Sequence, residues 1–386
     1  MKAKKNRFIS CHNLKEGTVV ALRTLSVAFV AALTFAFAQP LPAAQEVASA
    51  QAKLAQQKKA NIVILATGGT IAGAAASGTQ SGYKSGAVTI DAMLTAVPDI
   101  GKLANVKGEQ ISNVGSQDIS FEIMLKLAKR INELAPRADV DGFVITHGTD
   151  TMEETAYFLN LTVKTLKPVV MVGSMRPSTA VSADGPLNLY NAMAVAADPN
   201  ARGRGVLVVM NDQIHAAHSL TKTSTTAVET FMSPIRGVVG LTSYGKNEFF
   251  NTPTWPHTTK SEFDITNVNA LPRVDVILAY ADMSPSLLEA SVAAGAKGIV
   301  IAGVGNGNMN KASADAAAAA VKKGVKVVRS SRVPTGIVGR NVELNDDDLG
   351  FVASYELNPQ KSRILLTLAL LKPRTAQDLQ RLYDTY

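Results

Sequence analysis

Two threonines lie just beyond short apolar runs of the chain, at points where buried strands are predicted to end. Thr70 follows the run 62–66, and Thr149 follows the run Gly142–Thr146 and directly precedes Asp150. Ligands of parallel sheets bind beyond the carboxyl ends of the strands, so a substrate could reach both hydroxyl groups. A threonine hydroxyl attacks an acyl carbon when a base lies nearby. The pattern therefore indicates nucleophilic acyl transfer.

Each of these two segments also has a purely structural interpretation. Before Thr70, the adjacent glycines Gly68 and Gly69 permit a sharp turn that exposes amide N–H groups, and such turns are common without any function. Their spacing matches neither G-x-G-x-x-G nor G-x-x-x-x-G-K-[ST], so the turn is typical of neither a dinucleotide site nor a phosphate loop. Asp150 could cap the helix predicted after it, and capping is compatible with catalysis.

The chain offers few candidates for the base. Its histidines outside residues 1–38 are His147, His215, His218 and His257. His215 and His218 form an H-x-x-H pair that could hold a metal ion, although two surface histidines are the more common interpretation. Lys222 is an alternative base if burial favours its neutral form, and a solvated surface lysine is the competing interpretation.

Composition and charge exclude several classes of protein. The chain has 386 residues, of which 46% are hydrophobic and 18% charged, so it is neither disordered nor collagen-like. Its single cysteine, Cys11, excludes an intrachain disulfide framework and a cysteine zinc cluster. Of 39 bases and 31 acids, six bases and one acid lie in residues 1–38, which leaves a net charge of +3. No basic groove for nucleic acid is therefore indicated.

The first 38 residues have the order of a secretory signal peptide. Residues 1–23 are basic, 25–38 are apolar, and Ala36-Phe37-Ala38 fits a cleavage site. An uncleaved membrane anchor is the alternative, but the apolar stretch is short for a span and no second long one follows. We expect export to the periplasm or the medium, without a membrane segment after cleavage. The Ala/Gln-rich stretch 39–60 is predicted to be a flexible arm.

Apolar runs and helical patterns alternate along the rest of the chain. Further predicted strands are 168–173, 205–210, 274–280, 298–302 and 325–329, and the predicted helices are Phe121–Leu134, 151–161, 186–197, 285–294 and 312–323. This alternation predicts an α/β fold: a larger N-terminal, doubly wound, mostly parallel sheet domain and a smaller C-terminal α/β domain. The stretch 246–272 is rich in Pro, Asn and Thr and is predicted to be a linker. It separates the predicted domains 61–245 and 273–386.

Several motifs occur together in an order that is specific to one family. The longest are ILATGGTIAG at 64–73 and GFVITHGTDT at 142–151, and shorter ones lie at 115–118, 171–191, 303–308, 328–336 and 357–361. On these stretches the chain resembles the bacterial secreted (type II) L-asparaginases and glutaminase-asparaginases over about residues 61–386. The resemblance implies the two-domain α/β fold of that family.

The resemblance also implies the catalytic residues. Thr70 matches the family's primary nucleophile, and Tyr83, in a Gly/Ser-rich stretch, matches a tyrosine on a mobile lid that hydrogen-bonds it. Thr149, Asp150 and Lys222 match a second triad, in which Lys222 takes a proton from Thr149 and Asp150 orients the lysine. Taken alone, Tyr83 would be interpreted as an ordinary surface or packing residue.

Substrate-binding residues follow from the same resemblance. Backbone N–H groups near Gly69 and Thr149 would hold the developing oxyanion. Asp150 and Gln117 match ligands of a substrate ammonium, and Ser116 with nearby N–H groups would meet the carboxylate. These groups together suit a free amino acid.

Two further matches lie in the second domain. Asn308 and Glu343 match residues that complete the pocket from a neighbouring subunit, which implies a homotetramer built as a dimer of close dimers. Without the resemblance, Glu343 would be interpreted as part of a solvated acidic loop. The chain also departs from the family pattern, because 217–219 reads Ala-His-Ser where relatives usually carry Gly-Arg-Asp.

The sequence thus predicts an amidohydrolase that converts L-asparagine to L-aspartate and ammonia, with no cofactor and no metal. A dual glutaminase-asparaginase is the first alternative, because glutamine is only one methylene longer. The second is a non-catalytic periplasmic amino-acid-binding protein, which would share the export signal and the architecture. Only an enzyme would need threonines at two strand ends and a nearby lysine.

Overall fold

The computed structural model describes residues 59–79, 83–84, 86 and 89–386, and for 83–84 it describes the backbone alone. The predicted signal peptide at 1–38 and nearly all of the predicted arm at 39–60 lie outside these residues. Within the described part of the chain, no helix is both long and apolar enough to span a membrane.

The secondary structure of the described residues alternates between strands and helices. The strands are β1 (Ala60–Gly68), β2 (Ala74–Ala75), β3 (Tyr83–Lys84), β4 (Ala104–Val114), β5 (Gly142–Thr146), β6 (Val169–Val172), β7 (Val206–Met210), β8 (Gln213–Ala216), β9 (Thr221–Lys222), β10 (Phe231–Met232), β11 (Gly240–Ser243), β12 (Lys246–Phe249), β13 (Val274–Leu278), β14 (Gly298–Gly303), β15 (Lys326–Ser331) and β16 (Phe351–Ala353). The α-helices are Ile90–Ala96, Ile100–Leu103, Phe121–Leu134, Met152–Thr162, Gly185–Ala197, Ser286–Ala293, Lys311–Lys322, Asp346–Leu349, Pro359–Ala369 and Ala376–Thr385.

The larger sheet has eight strands in the order β12-β11-β8-β7-β6-β5-β1-β4. The five strands from β7 to β4 run parallel, whereas β8, β11 and β12 pair antiparallel at the other edge. The smaller sheet, β13-β14-β15-β16, is entirely parallel. The predicted fold class, a larger mostly parallel sheet domain followed by a smaller α/β domain, is therefore confirmed.

The central strands are continuous apolar runs because helices cover both faces of the sheet. Every residue of β5, β6 and β7 is buried. The helix Phe121–Leu134 begins where the Ser120 side chain accepts a hydrogen bond from the Ile123 N–H, and its buried residues recur with helical spacing. All seven apolar runs and all five helical patterns identified in the sequence correspond to observed elements, with ends shifted by no more than two residues.

The strand β4 was not predicted from the sequence. Its residues, ANVKGEQISNV, are mostly exposed or half-buried, because β4 is the outer strand of the sheet and pairs on one side only. Polar residues are tolerated at such an edge, so the strand lacks the apolar signal of its neighbours. The segment predicted as a linker, 246–272, begins with the edge strand β12 and otherwise contains one short 3₁₀ turn, Thr258–Lys260.

The two sheets share a hydrophobic core. The helix Met152–Thr162, of which ten residues are buried, packs against the helix Pro359–Ala369 of the second sheet. Side chains of both sheets belong to one buried cluster, which includes Phe143 of β5 and Val300 of β14. Residues 59–386 accordingly form one compact unit.

Candidate active site

The two threonine segments meet because their strands are neighbours. β1 pairs in parallel with β5, with Ala66 opposite Thr146, so both strands end at the same edge of the sheet. Gly69 has φ +82° there, and a Cβ atom on it would lie 2.2 Å from the Gly148 backbone nitrogen. Glycine is therefore required at position 69, since the two chain segments touch through their backbones.

Both threonine hydroxyl groups lie just inside the surface at this edge. Thr70 opens the 3₁₀ turn Thr70–Ala72 and is 5% exposed, and Thr149 is 4% exposed. The structure thus places both predicted threonines at adjoining strand ends. Tyr83 pairs through its backbone with Ala75 in a two-stranded hairpin, and its side chain lies outside the described part of the structure.

Lys222 connects Thr149 with Asp150. The strand β9, paired with β10, presents Lys222 so that its Nζ donates to Thr149 Oγ1 at 2.9 Å and to Asp150 Oδ1 at 2.6 Å. The lysine side chain is 16% exposed, whereas the aspartate side chain is 59% exposed. A proton can pass between the hydroxyl and the amine at this distance, and the carboxylate stabilises the ammonium while it stays open to solvent.

Ser116 fixes the start of the segment that carries Asp150. The Ser116 Oγ accepts a hydrogen bond from the Asp150 N–H at 3.1 Å, and the Ser116 carbonyl accepts one from the Thr151 hydroxyl at 2.7 Å. Ser116 is buried, and its own hydroxyl hydrogen can still be donated. Its neighbour Gln117 is exposed and donates to Asp118 Oδ2 at 3.2 Å. Ser116 therefore belongs to the cluster, with Gln117 at its solvent side.

His147 is not available as a charged group near this cluster. It is fully buried, with Nδ1 at 2.7 Å from the Gly148 carbonyl oxygen. Burial lowers the pKa of His147 to about 4, against the opposing effect of that backbone hydrogen bond. The imidazole is therefore neutral at pH 7, which leaves Lys222 as the base candidate in contact with Thr149.

The interpretation of His215 and His218 as surface residues was wrong. Both are buried: the His215 Nδ1 lies 3.0 Å from Ser233 Oγ, and the His218 ring stacks on Trp255 with centroids 4.0 Å apart. Residues 217–219 depart from the family pattern, and the structure accommodates His218 there by burying its ring against Trp255. Within the described residues, no group of three or more His, Cys, Asp or Glu side chains could hold a metal ion.

Asn308 and Glu343 form a separate pair in the second sheet domain. The Asn308 Nδ2 donates to Glu343 Oε2 at 2.7 Å, and Glu343 is exposed. The structure thus brings these two predicted site residues to each other rather than into direct hydrogen bonding with the Thr149 cluster of the same chain.

A buried ion pair, Arg329–Asp346, supports the two loops that carry Asn308 and Glu343. The sequence analysis did not predict it. Arg329 is fully buried and donates to both oxygens of Asp346 at 2.6 Å. It also donates to the carbonyl oxygens of Asn306, Gly307 and Gly339, at 3.1, 3.3 and 3.0 Å. The signal was present, because an arginine within a run predicted to be a buried strand needs a buried partner.

Comparison with known proteins places this geometry in a family. Residues 61–255 match the family model "Asparaginase, N-terminal", and residues 273–383 match the "Glutaminase/Asparaginase C-terminal domain". The chain is 53% identical over 326 residues to the "L-asparaginase 2" of Escherichia coli and to the "Probable L-asparaginase periplasmic" of Haemophilus influenzae, covering 84% of this chain and 93% of each relative. It is 48% identical over 342 residues to the "Glutaminase-asparaginase" of Pseudomonas fluorescens, covering 88% of this chain and 94% of that relative.

A solved structure agrees with these matches. The crystal structure of the probable cytoplasmic L-asparaginase from Campylobacter jejuni superposes with a TM-score of 0.83 at 47% identity, covering 85% of this chain and 100% of that one. The similarity thus extends over both sheets and over the motifs that build the cluster around Thr149. On these matches in sequence and in structure, the chain belongs to the asparaginase family.

Proposed function

We propose that this protein hydrolyses the side-chain amide of L-asparagine, giving L-aspartate and ammonia. The observation that carries the proposal is the contact of Lys222 Nζ with Thr149 Oγ1 and Asp150 Oδ1, beside Thr70 on the neighbouring strand end. Asparaginase and glutaminase-asparaginase are the names of its relatives, which supports the same substrate class.

The proposed reaction uses Thr70 as the nucleophile. Its hydroxyl oxygen attacks the amide carbon, and N–H groups near Gly69 and Thr149 stabilise the oxyanion of the tetrahedral intermediate. The amide nitrogen takes up a proton and leaves as ammonia, and water then cleaves the acyl ester to release aspartate and restore the Thr70 hydroxyl. Thr149 and Lys222 supply and accept the protons that these steps need. The course needs no cofactor and no metal.

Substrate recognition is proposed to follow charge. The exposed carboxylate of Asp150 and the side-chain amide of Gln117 face solvent where the substrate ammonium would bind. The Ser116 hydroxyl, which accepts a hydrogen bond from the Asp150 N–H, would donate to the substrate carboxylate. Side-by-side acceptors and donors of this kind select a free amino acid over a peptide.

Asn308 and Glu343 are proposed to complete the pocket of a neighbouring subunit. Their mutual hydrogen bond leaves the glutamate on the surface, where it could contact another copy of the chain. The proposed assembly is a homotetramer made of two close dimers, as the resemblance to the family implies. Asparagine is the proposed preferred substrate, with partial activity on glutamine, because one methylene changes binding by only about 1–3 kcal/mol.

Residues 1–38 are proposed to export the protein to the periplasm or the medium. The order of basic, apolar and small residues supports this, and one relative is named periplasmic, although the solved neighbour is named cytoplasmic. Cleavage after Ala38 would remove the only cysteine of the chain, Cys11.

The decisive experiment measures ammonia released from L-asparagine and L-glutamine by residues 39–386, beside the Thr70→Ala variant. We expect rapid release from asparagine, slower release from glutamine, no loss on addition of a chelator, and loss of at least about a thousandfold in Thr70→Ala. Tight binding of asparagine without ammonia would identify a binding protein instead. Near-normal turnover in a folded Thr70→Ala protein would remove Thr70 as the nucleophile.

A further inference from the structure

The motif at 357–361, LNPQK, has no role in the proposed reaction. It nevertheless contacts both chain segments that form the cluster around Thr149, the one that carries Lys222 and the one that carries Asp150. It forms the start of the helix Pro359–Ala369 in the second sheet domain, with Asn358 as the N-cap residue. Its polar side chains form hydrogen bonds with the larger sheet domain, to the loop before Lys222 and to the helix after Asp150. Such contacts are unusual at the start of a helix, where polar side chains typically hydrogen-bond to the backbone N–H groups of the first turn.

On the Lys222 side, the contact is made by Lys361. The Lys361 side chain is only 2% exposed, and its Nζ donates to the carbonyl oxygen of His218 at 2.7 Å and to that of Leu220. Leu220 lies two residues before Lys222, at the end of the turn that connects β8 to β9. The loop therefore has its backbone carbonyls bound by an amine from the other sheet domain.

On the Asp150 side, the contact is made through Glu153. This buried glutamate is in the first turn of the helix Met152–Thr162, and its two carboxylate oxygens accept hydrogen bonds from Gln360 Nε2 at 2.7 Å and from Asn358 Nδ2 at 3.1 Å. The Asn358 Nδ2 also lies 3.4 Å from Thr221 Oγ1, next to Lys222. One helix start thus binds the two segments whose side chains must meet.

We propose that Lys361 is a positioning residue: by binding the carbonyl oxygens of His218 and Leu220, it sets the distance between Lys222 Nζ and Thr149 Oγ1. The proposal rests on the proposed function, in which that distance governs proton transfer. It also explains why the second sheet domain contributes to the reaction within the same chain, independently of Asn308 and Glu343.

The contacts of Lys361 favour this role over that of a stabilising ion pair, because both acceptors of its Nζ are backbone carbonyl oxygens. Burial lowers the pKa of Lys361 to about 8, and the charge of Glu153 opposes this effect. The charge of this amine helps to lower the pKa of both His215 and His218, and Arg236 adds to the effect on His218. A pKa of about 8 leaves this amine mostly charged at pH 7, and both its charged and its neutral form have enough hydrogens to donate to the two carbonyl oxygens.

The test compares Lys361→Met with Lys372→Met, an exposed lysine of the same sheet domain, in ammonia release at saturating and limiting asparagine. In Lys361→Met we expect kcat per folded site to fall about 10- to 100-fold with KM changed less than about threefold, because the loop shifts while the substrate-binding residues stay. Lys372→Met should match the wild type. A purely structural role would instead lower the melting temperature and leave kcat per folded site unchanged, which would overturn the proposal.

A second variant covers the possibility that Lys361→Met does not fold. Without residues 1–38 the protein has no cysteine, so Lys361→Cys can be unfolded, alkylated with a 2-aminoethyl group and refolded, which restores the amine at nearly the original length. Recovery of kcat in the aminoethylated protein, relative to the same protein alkylated with a neutral ethyl group, supports the proposal. Equal activity of the two alkylated proteins contradicts it.

The proposed function is tested separately. If the wild-type protein releases no ammonia, the proposed function fails. If the wild type is active and Lys222→Met is not, while folded Lys361→Met keeps full activity, the reaction stands and only the positioning role of Lys361 fails.

Discussion

Thr149 and Asp150 both contact Lys222, but they lie in different surroundings. The Lys222 Nζ donates to both, but the Thr149 hydroxyl is buried and the Asp150 carboxylate is largely open to solvent. A buried hydroxyl beside an amine suits internal proton transfer, whereas an open carboxylate suits binding of a cationic group from solution. The proposed reaction accordingly uses Thr149 and Lys222 for proton transfer and Asp150 for binding the substrate.

At the residue scale, we expect Thr149→Val to reduce kcat for asparagine by at least about a hundredfold, because a methyl group replaces the hydroxyl that contacts Lys222. The shape of the side chain is kept, so the protein should fold and melt as the wild type does. The measurement is ammonia release, with circular dichroism to verify the fold.

Thr146→Val is the matched control for this prediction. Thr146 is also buried, three residues earlier on the same chain segment, and within the described structure its hydroxyl has no hydrogen-bond partner. Its removal should leave kcat unchanged. If both variants were equally active, Thr149 would have no part in the chemistry.

The helix Met152–Thr162 is the element that joins the cluster to the rest of the molecule. It begins two residues after Asp150 and is buried along almost its whole length. Glu154, in its first turn, lies 3.6 Å from Arg363, on the helix Pro359–Ala369. Burial raises the pKa of Glu154 to about 7, and Glu153 adds to this effect while Arg363 opposes it.

At the element scale, Glu154→Gln should stabilise the protein increasingly as the pH rises from 5 to 8. Between pH 4.5 and 7 the folded protein keeps a proton on Glu154 that the unfolded chain releases, so wild-type stability falls over this range. Glutamine does not titrate, and the difference in the free energy of unfolding should change by up to about 3 kcal/mol in its favour. Urea unfolding at both pH values measures it.

The exposed Glu133 is the control for the Glu154 substitution. Its side chain is 68% exposed, so Glu133→Gln should show nearly the same effect at pH 5 and pH 8. A pH-independent difference for Glu154→Gln would contradict the proposed burial of a carboxyl group at this position.

In the whole molecule, the second sheet domain is proposed to support the reaction in two separate ways. Within the chain, its helix start at 358–361 contacts the segments of Lys222 and Asp150. Glu343, which is proposed to act in a neighbouring chain, is exposed and hydrogen-bonded to Asn308. The loops that carry these two residues are supported by hydrogen bonds from the buried Arg329. A complete site on this view needs both sheet domains of one subunit and a loop of another.

Mixing two inactive variants tests this composite site. Thr70→Ala and Glu343→Ala should each be inactive alone, but their co-expression should restore up to about a quarter of wild-type activity. Half of randomly formed close dimers would be mixed, and each of these would have one site free of both substitutions. Ammonia release from the purified mixture is the measurement. If Glu343 acted within its own subunit, the mixed dimers would stay inactive.

Patterns within short stretches of the chain were sufficient to predict most of the fold. The strand Gly142–Thr146 and the helix Phe121–Leu134 occur as expected, because an apolar run and a helical spacing of apolar residues are both visible within a short stretch of sequence. The edge strand β4 was missed, because a strand with one neighbour can be polar. The partners of Arg329 and Lys361 were missed as well, since each bond joins residues that are far apart in the chain.

The amino-acid sequence alone specifies which groups are present at the strand ends: two threonines, an adjacent aspartate and the glycines that allow the two segments to touch. Which distant residues meet these groups depends on the folded structure. Lys222, which spacing alone could not distinguish from a solvated lysine, lies 2.9 Å from Thr149, and His215 and His218 are buried rather than exposed. The physical reason is that a side chain's burial and partners depend on the elements packed around it, and those come from remote parts of the chain.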